Sequence, residues 1–129
     1  MTIIESKEKV INKSQKDIFD IFSDLNNLKD YMPTQVEQWE STTDTCSFTI
    51  KNLAVLSMKI TERVNYSKVV HEDTNGKPFK FFLIININEI NESSCKIKYV
   101  FEADLNFTLQ LLASKPLENF LNLIVDKVN

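Results

Sequence analysis

From about residue 35 to residue 105 the chain alternates apolar and polar residues with a period of two. Cys46, Phe48 and Ile50 alternate with Thr45, Ser47 and Thr49. Ala54, Leu56, Met58 and Ile60 alternate with Val55, Ser57, Lys59 and Thr61. Val69 and His71 share a face, as do Phe79, Phe81, Leu83, Ile85 and Ile87, and then Ile97, Tyr99, Phe101, Ala103 and Leu105. Strands with one apolar face form a sheet that must be covered on one side only. The cover is at the end of the chain. A helix opening at Ser114-Lys115-Pro116 and running to about Val128 carries Leu117, Phe120, Leu121, Ile124 and Val128 in one stripe at ~100° per residue. Its other face is Lys115, Glu118, Asn119, Asn122 and Asp126. The pattern predicts an α+β fold: a curved antiparallel sheet of about seven strands wrapped on a long C-terminal helix. At 129 residues the chain is expected to be one domain, 1–129.

Residues 2–11 read as a first strand with Ile3, Ile4, Val10 and Ile11 at its ends and a polar middle suited to a sheet border. Ser14 is a helix cap, followed by Ile18, Ile21, Phe22 and Leu25 as a buried stripe. Ser23-Asp24 breaks this helix, Leu25 and Leu28 make a second short one, and Met32-Pro33 ends the region. Tight turns are expected at Thr43-Asp44, Lys51-Asn52 and Glu92-Ser93-Ser94. Asn75-Gly76, with the only glycine of the chain, is the strongest hairpin signal. Residues 106–114 are readable as a strand end or as an early turn of helix.

Charge excludes one large class of function. Fifteen basic residues are interleaved with eighteen acidic ones, for a net charge of −3, and no basic face is concentrated enough to favour nucleic acid. The longest intense apolar run, Phe81 to Ile85, is far short of a membrane span. No export signal is visible, so the expected location is the cytoplasm, with Cys46 and Cys95 as reduced core thiols, although a bridge between them stays open. One histidine and two distant cysteines do not make a metal site, and no glycine-rich loop is present to cradle phosphates. Neither a metal nor a cofactor is expected.

The order β-α-α-β-β-β-β-β-β-α resembles the helix-grip fold of the START-like superfamily (SRPBCC), which spans polyketide cyclases and dehydratases, lipid-transfer domains and coenzyme Q-binding proteins. Three stretches carry the resemblance. Ile18-Phe19-Asp20-Ile21-Phe22-Ser23-Asp24-Leu25-Asn26-Asn27 is similar to the superfamily's aromatic-rich segment ending in S-D-x-x-N. Met32-Pro33 before Val36 and Trp39 is similar to its approach to the second strand. Lys115-Pro116-Leu117-Glu118-Asn119-Phe120-Leu121 resembles the start of its last helix. The resemblance implies an interior between sheet and helix that takes a small hydrophobic ligand such as a lipid, isoprenoid or polyketide. Many relatives are longer and glycine-rich, which argues for a tighter interior here.

The residues expected to line that interior are Trp39, Phe48, Ile50, Leu56, Met58, Ile60, His71, Phe81, Leu83, Ile85, Tyr99 and Phe101 from the sheet. Leu117, Phe120, Leu121 and Ile124 face them from the helix. Tyr99, Trp39 and Ser57 are candidate hydrogen-bonding groups for a ligand head group. The expected function is binding, with possible roles in transport or sensing, and no catalysis. Two alternatives compete with it. One is a cyclase- or dehydratase-like enzyme in which His71 or Tyr99 polarises a carbonyl. The other is a protein-interaction domain whose interior is filled by its nine phenylalanines. Phe82, Ile84 and Val100 lie on the nominal outer face and suggest weak self-association.

Overall fold

The computed structural model describes residues 1–129. The alternating runs become strands β3 (Val36–Ser41), β4 (Thr45–Ile50), β5 (Ala54–Val64), β6 (Lys68–Asp73), β7 (Phe81–Asn91) and β8 (Ser94–Ala103). Each pairs antiparallel with the next. The N-terminal strands β1 (Thr2–Glu5) and β2 (Lys9–Ile11) both pair with β8, giving one open eight-stranded sheet in the order β1-β8-β7-β6-β5-β4-β3, with β2 beside β8. On the concave face Phe81, Leu83, Ile85 and Ile87 of β7 stand directly opposite Ala103, Phe101, Tyr99 and Ile97 of β8.

The helices follow their local signals. α1 (Gln15–Phe22) is capped by the Ser14 side chain, which accepts from Asp17 N. α2 (Leu25–Leu28) is capped by Asp24, and a 3-10 turn follows at Lys29–Tyr31. The Ser-Asp-x-x-Asn segment holds this corner together. Asn27 Nδ2 donates to Ile21 O, and the Arg63 guanidinium donates both to Ser23 O at the end of α1 and to the Asp44 carboxylate.

Three details differ from the sequence expectation. The first strand is interrupted. Glu5 pairs with Val100 and Lys9 with Ile97, so this border carries one residue more than β8 over the same stretch. Ser6 absorbs the extra residue: its N–H donates to Tyr99 O, and its Oγ accepts from Tyr99 N where a backbone carbonyl would otherwise stand. Secondly, Asn75-Gly76 does not close a two-residue hairpin. It sits in a longer connection between β6 and β7, where the Asp73 carboxylate accepts from both Asn75 N and Gly76 N, and Gly76 takes φ 78°. Phe79 is buried in this connection and outside any strand.

The third difference is the largest. The last helix, α3, spans Phe107–Lys127 and starts seven residues earlier than its apolar stripe suggests. Asn106 caps it, accepting from Leu109 N. Pro116 therefore lies inside the helix rather than at its first turn. The first two turns carry Phe107, Leu111 and Leu112 in solvent, so they show no core-facing period to read. The stripe from Leu117 onward packs as expected: Leu117, Phe120, Leu121, Ile124 and Val128 are all buried and join the sheet and α1 in one apolar core. No helix is long and apolar enough to cross a membrane.

Candidate functional site between the sheet and the last helix

The concave face gathers all sixteen expected lining residues. Fourteen are buried, and Trp39 and Ile60 are half-buried against the same core. Ser57 is the exception among the candidate polar groups. It points to the convex face and donates to Ser47 Oγ at 3.2 Å, because strand parity places it opposite to Leu56 and Met58.

A bulge positions Trp39. Glu37 pairs with Thr49 and Glu40 with Ser47, so Gln38 and Trp39 together oppose Phe48. Gln38 takes the left-handed conformation, φ 54°, that a bulge of this kind often assigns to glycine. The result turns the indole onto Phe48, with ring centroids 5.1 Å apart and planes 22° from parallel. Phe48 stacks in turn on Phe120 of α3 at 6.3 Å. This ladder ties the β3 border of the sheet to the helix. At the other side Phe81 stacks on Phe101 at 5.1 Å, with Phe79 edge-on to both. Large rings thus occupy much of the space between the layers.

Three polar atoms stand without a partner in this apolar setting: Trp39 Nε1, His71 Nε2 and Tyr99 Oη. Buried groups of this kind are ordinarily hydrogen-bonded, so each marks a place where a polar contact is owed. His71 sits on β6 opposite Leu83, and its Nδ1 lies 2.8 Å from Leu83 O. A carbonyl can only accept, so Nδ1 carries the proton and Nε2 presents a lone pair. Burial pushes the imidazole down to about 4; the Leu83 carbonyl opposes that shift and the Arg63 charge adds to it. His71 is therefore neutral at pH 7, and no carboxylate orients it as a base. Burial also raises the Tyr99 phenol, with Cys46 a smaller contributor, so its hydroxyl stays protonated. Phe22 meets the Tyr99 ring edge-on at 6.1 Å. The interior hence offers two donors, Trp39 and Tyr99, and one acceptor, His71, with no ionised group among them.

Both cysteines are free and buried, and burial pushes the Cys46 thiol up to about 12, which removes it as a nucleophile. No group of three His, Cys, Asp or Glu side chains is placed to hold a metal ion.

A cleft of about 330 Å³ lies between α3 and the β4–β5 turn, with Ile50 and Phe120 at its base and Gln35, Lys51, Asn52, Leu53, Leu112, Pro116 and Asn119 around it. Sequence reasoning found Ile50 and Phe120 and missed the rest, since turn residues and the first half of α3 show no apolar period. The largest surface depression, about 720 Å³, is elsewhere, between β1 and the polar flank of α3. Phe82, Ile84 and Val100 lie on the convex face, as expected, and are half-buried there. Ile84 stands between Val70 and Val100 in one cross-strand row.

No protein-family model matches the sequence, and no curated protein matches it. Solved structures do match the fold. A putative uncharacterized protein from Bacillus thuringiensis superposes with a TM-score of 0.77 at 9% identity, covering 98% of this chain and 96% of that one. A START superfamily protein from Mycobacterium smegmatis gives 0.72 at 13% identity, with 98% and 96% covered. Norcoclaurine synthase from Thalictrum flavum, solved in complex with dopamine and hydroxybenzaldehyde, gives 0.74 at 17% identity, with 98% and 83% covered. At such identities the likeness is one of architecture: this chain has the helix-grip fold, a curved antiparallel sheet wrapped on a long C-terminal helix.

Proposed function

We propose that the chain binds a small, largely hydrophobic molecule between the sheet and α3, without transforming it. The observation that carries this reading is the trio of unpartnered buried polar atoms on an otherwise apolar concave face, Trp39 Nε1, His71 Nε2 and Tyr99 Oη. An uncharged ligand bearing a hydroxyl or carbonyl would satisfy them, and an ionised one would meet no counter-charge there. The cleft above Phe120 has a size that ligand pockets show, and the Phe120 ring stands between it and the Phe48 and Trp39 rings. A protein of the same fold has been solved with dopamine and hydroxybenzaldehyde, and the uncharged one of the two, hydroxybenzaldehyde, supports small neutral aromatic molecules bearing a hydroxyl or carbonyl as the first class to try. His71 has its Nδ1 on a peptide carbonyl rather than on a carboxylate, which supports binding over turnover.

The test is a panel titration followed by NMR, using fluorescent lipids and neutral aromatic alcohols and ketones. The expected result is saturable shifts at His71, Tyr99 and Phe120, with affinity falling about tenfold in Tyr99→Phe, the worth of one buried hydrogen bond. A panel that leaves every concave-face resonance unmoved would sink the proposal. The aromatic ladders favour a second reading, a binding scaffold with a filled interior, which predicts that outcome.

A further inference from the structure

The β1 border of the sheet has backbone groups that nothing in the chain pairs. Ser6 donates its N–H to Tyr99 O, so by the two-residue period Ile4 and Thr2, in register with Phe101 and Ala103, turn their N–H and C=O toward β8. Ile3 and Glu5 therefore aim theirs outward. Lys7 is next in the outward series, and its N–H donates to Asn122 Oδ1 on α3 at 2.7 Å. The helix thus closes the series at Lys7 and leaves it open at Ile3 and Glu5, where the 720 Å³ groove separates the strand from α3.

Apolar surface gathers at the same border. Of the six large apolar side chains most open to solvent, Phe107, Leu111, Met1, Leu112, Ile3 and Val10, all but Leu112 lie along it. Phe107 and Leu111 precede Ser114 and Glu118 of the groove wall by seven residues each, so they continue the same helical stripe two turns earlier.

We propose that a second copy of the chain docks on this border, β1 against β1 in antiparallel pairing, covering Ile3, Phe107 and Leu111. A two-fold axis explains why the partner is the chain itself. Antiparallel self-pairing sets each outward N–H of Ile3 or Glu5 against an outward C=O of the other copy. The same axis runs the two α3 flanks in opposite directions, so Lys115 and Glu118, an ion pair within one chain at 2.9 Å, present opposite charges to their counterparts. The other border of the sheet, β3, is blunted by its bulge at Gln38 and Trp39. About a dozen residues border the edge, fewer than the 20–30 a side of a standard interface, so the dimer is weak and concentration-dependent. The inference is independent of whether the interior holds a ligand.

Analytical ultracentrifugation from about 5 to about 500 µM, with amide exchange read by NMR at both ends, tests it. The expected result is reversible dimerisation with the Ile3 and Glu5 amides slowed at least tenfold at the high end. Phe107→Asp and Leu111→Lys, both at side chains more than two-thirds exposed, raise the dimer dissociation constant at least tenfold. Ile84→Glu on the convex face leaves it unchanged. A chain monomeric at the highest concentration overturns the proposal. So does a dimer whose Ile3 and Glu5 amides exchange at monomer rates, or one abolished by Ile84→Glu and kept by the two α3 variants.

Discussion

At 1% exposure, with a peptide carbonyl on one nitrogen and apolar side chains around the other, His71 has no means of stabilising a positive charge. Its folded-state value near 4 lies below the ~6.5 of the unfolded chain. Between those two values the unfolded state binds a proton that the folded state refuses, so this contribution to stability is complete above pH ~6.5 and drains away as the pH falls toward 4. Urea unfolding at pH 7 and pH 4.5 should show a loss of about 2–3 kcal/mol in the native chain beyond that in His71→Gln, whose profile lacks this step. Identical pH profiles would show that the imidazole is not held neutral. Ser6 plays a comparable part on the backbone. Ser6→Ala leaves Tyr99 N–H unpaired in the core and should cost about 1–3 kcal/mol at pH 7 by the same measurement.

At the level of elements, α3 combines two opposing tendencies. Asn106 starts it cleanly and the stripe from Ala113 to Val125 anchors it, yet Pro116 removes the N–H that would bond Leu112 O. The proline sits on the flank facing the cleft, away from the buried stripe, so the lost bond falls where the helix is least packed. Pro116→Ala should therefore stabilise the chain by about 1–3 kcal/mol, seen as a raised Tm. An unchanged Tm would mean that Leu112 O costs nothing as it stands. The strands carry irregular positions at both borders of the sheet, the Ser6 interruption in the first strand and the Gln38–Trp39 bulge in β3, and also within it, where the register shifts between Ile60 and Glu62 of β5 and between Glu89 and Asn91 of β7.

For the molecule as a whole, the decisive quantity is how completely side chains fill the space that the curved sheet and α3 enclose. Phe120 is the hinge of that question, being both the floor of the cleft and the last ring of the Trp39–Phe48–Phe120 ladder. Phe120→Ala should cost about 3–5 kcal/mol in stability, the usual effect of deleting a buried ring. If the interior admits a ligand, the same variant also binds neutral aromatic probes more tightly, because the cleft then reaches Phe48. Destabilisation with no gain in probe affinity favours the filled scaffold.

Residue order alone was enough to settle the architecture. Period-two runs over β4 to β8, the Ser14 cap, the Ser23-Asp24 break and the stripe from Leu117 to Val128 are local patterns whose hydrophobic faces have only one way to be buried together. Parity likewise placed the lining residues, since a strand residue's face follows from its neighbours. Other features depend on residues far apart in the chain and so were decided by tertiary structure. Ser6 is polar among charged neighbours and reveals its role only beside Tyr99, ninety-three residues away. The first two turns of α3 show no core-facing stripe because nothing covers them. Likewise, whether Trp39, His71 and Tyr99 find partners is a question of what the folded interior brings within reach, and there it brings no hydrogen-bonding group to Trp39 Nε1, His71 Nε2 or Tyr99 Oη.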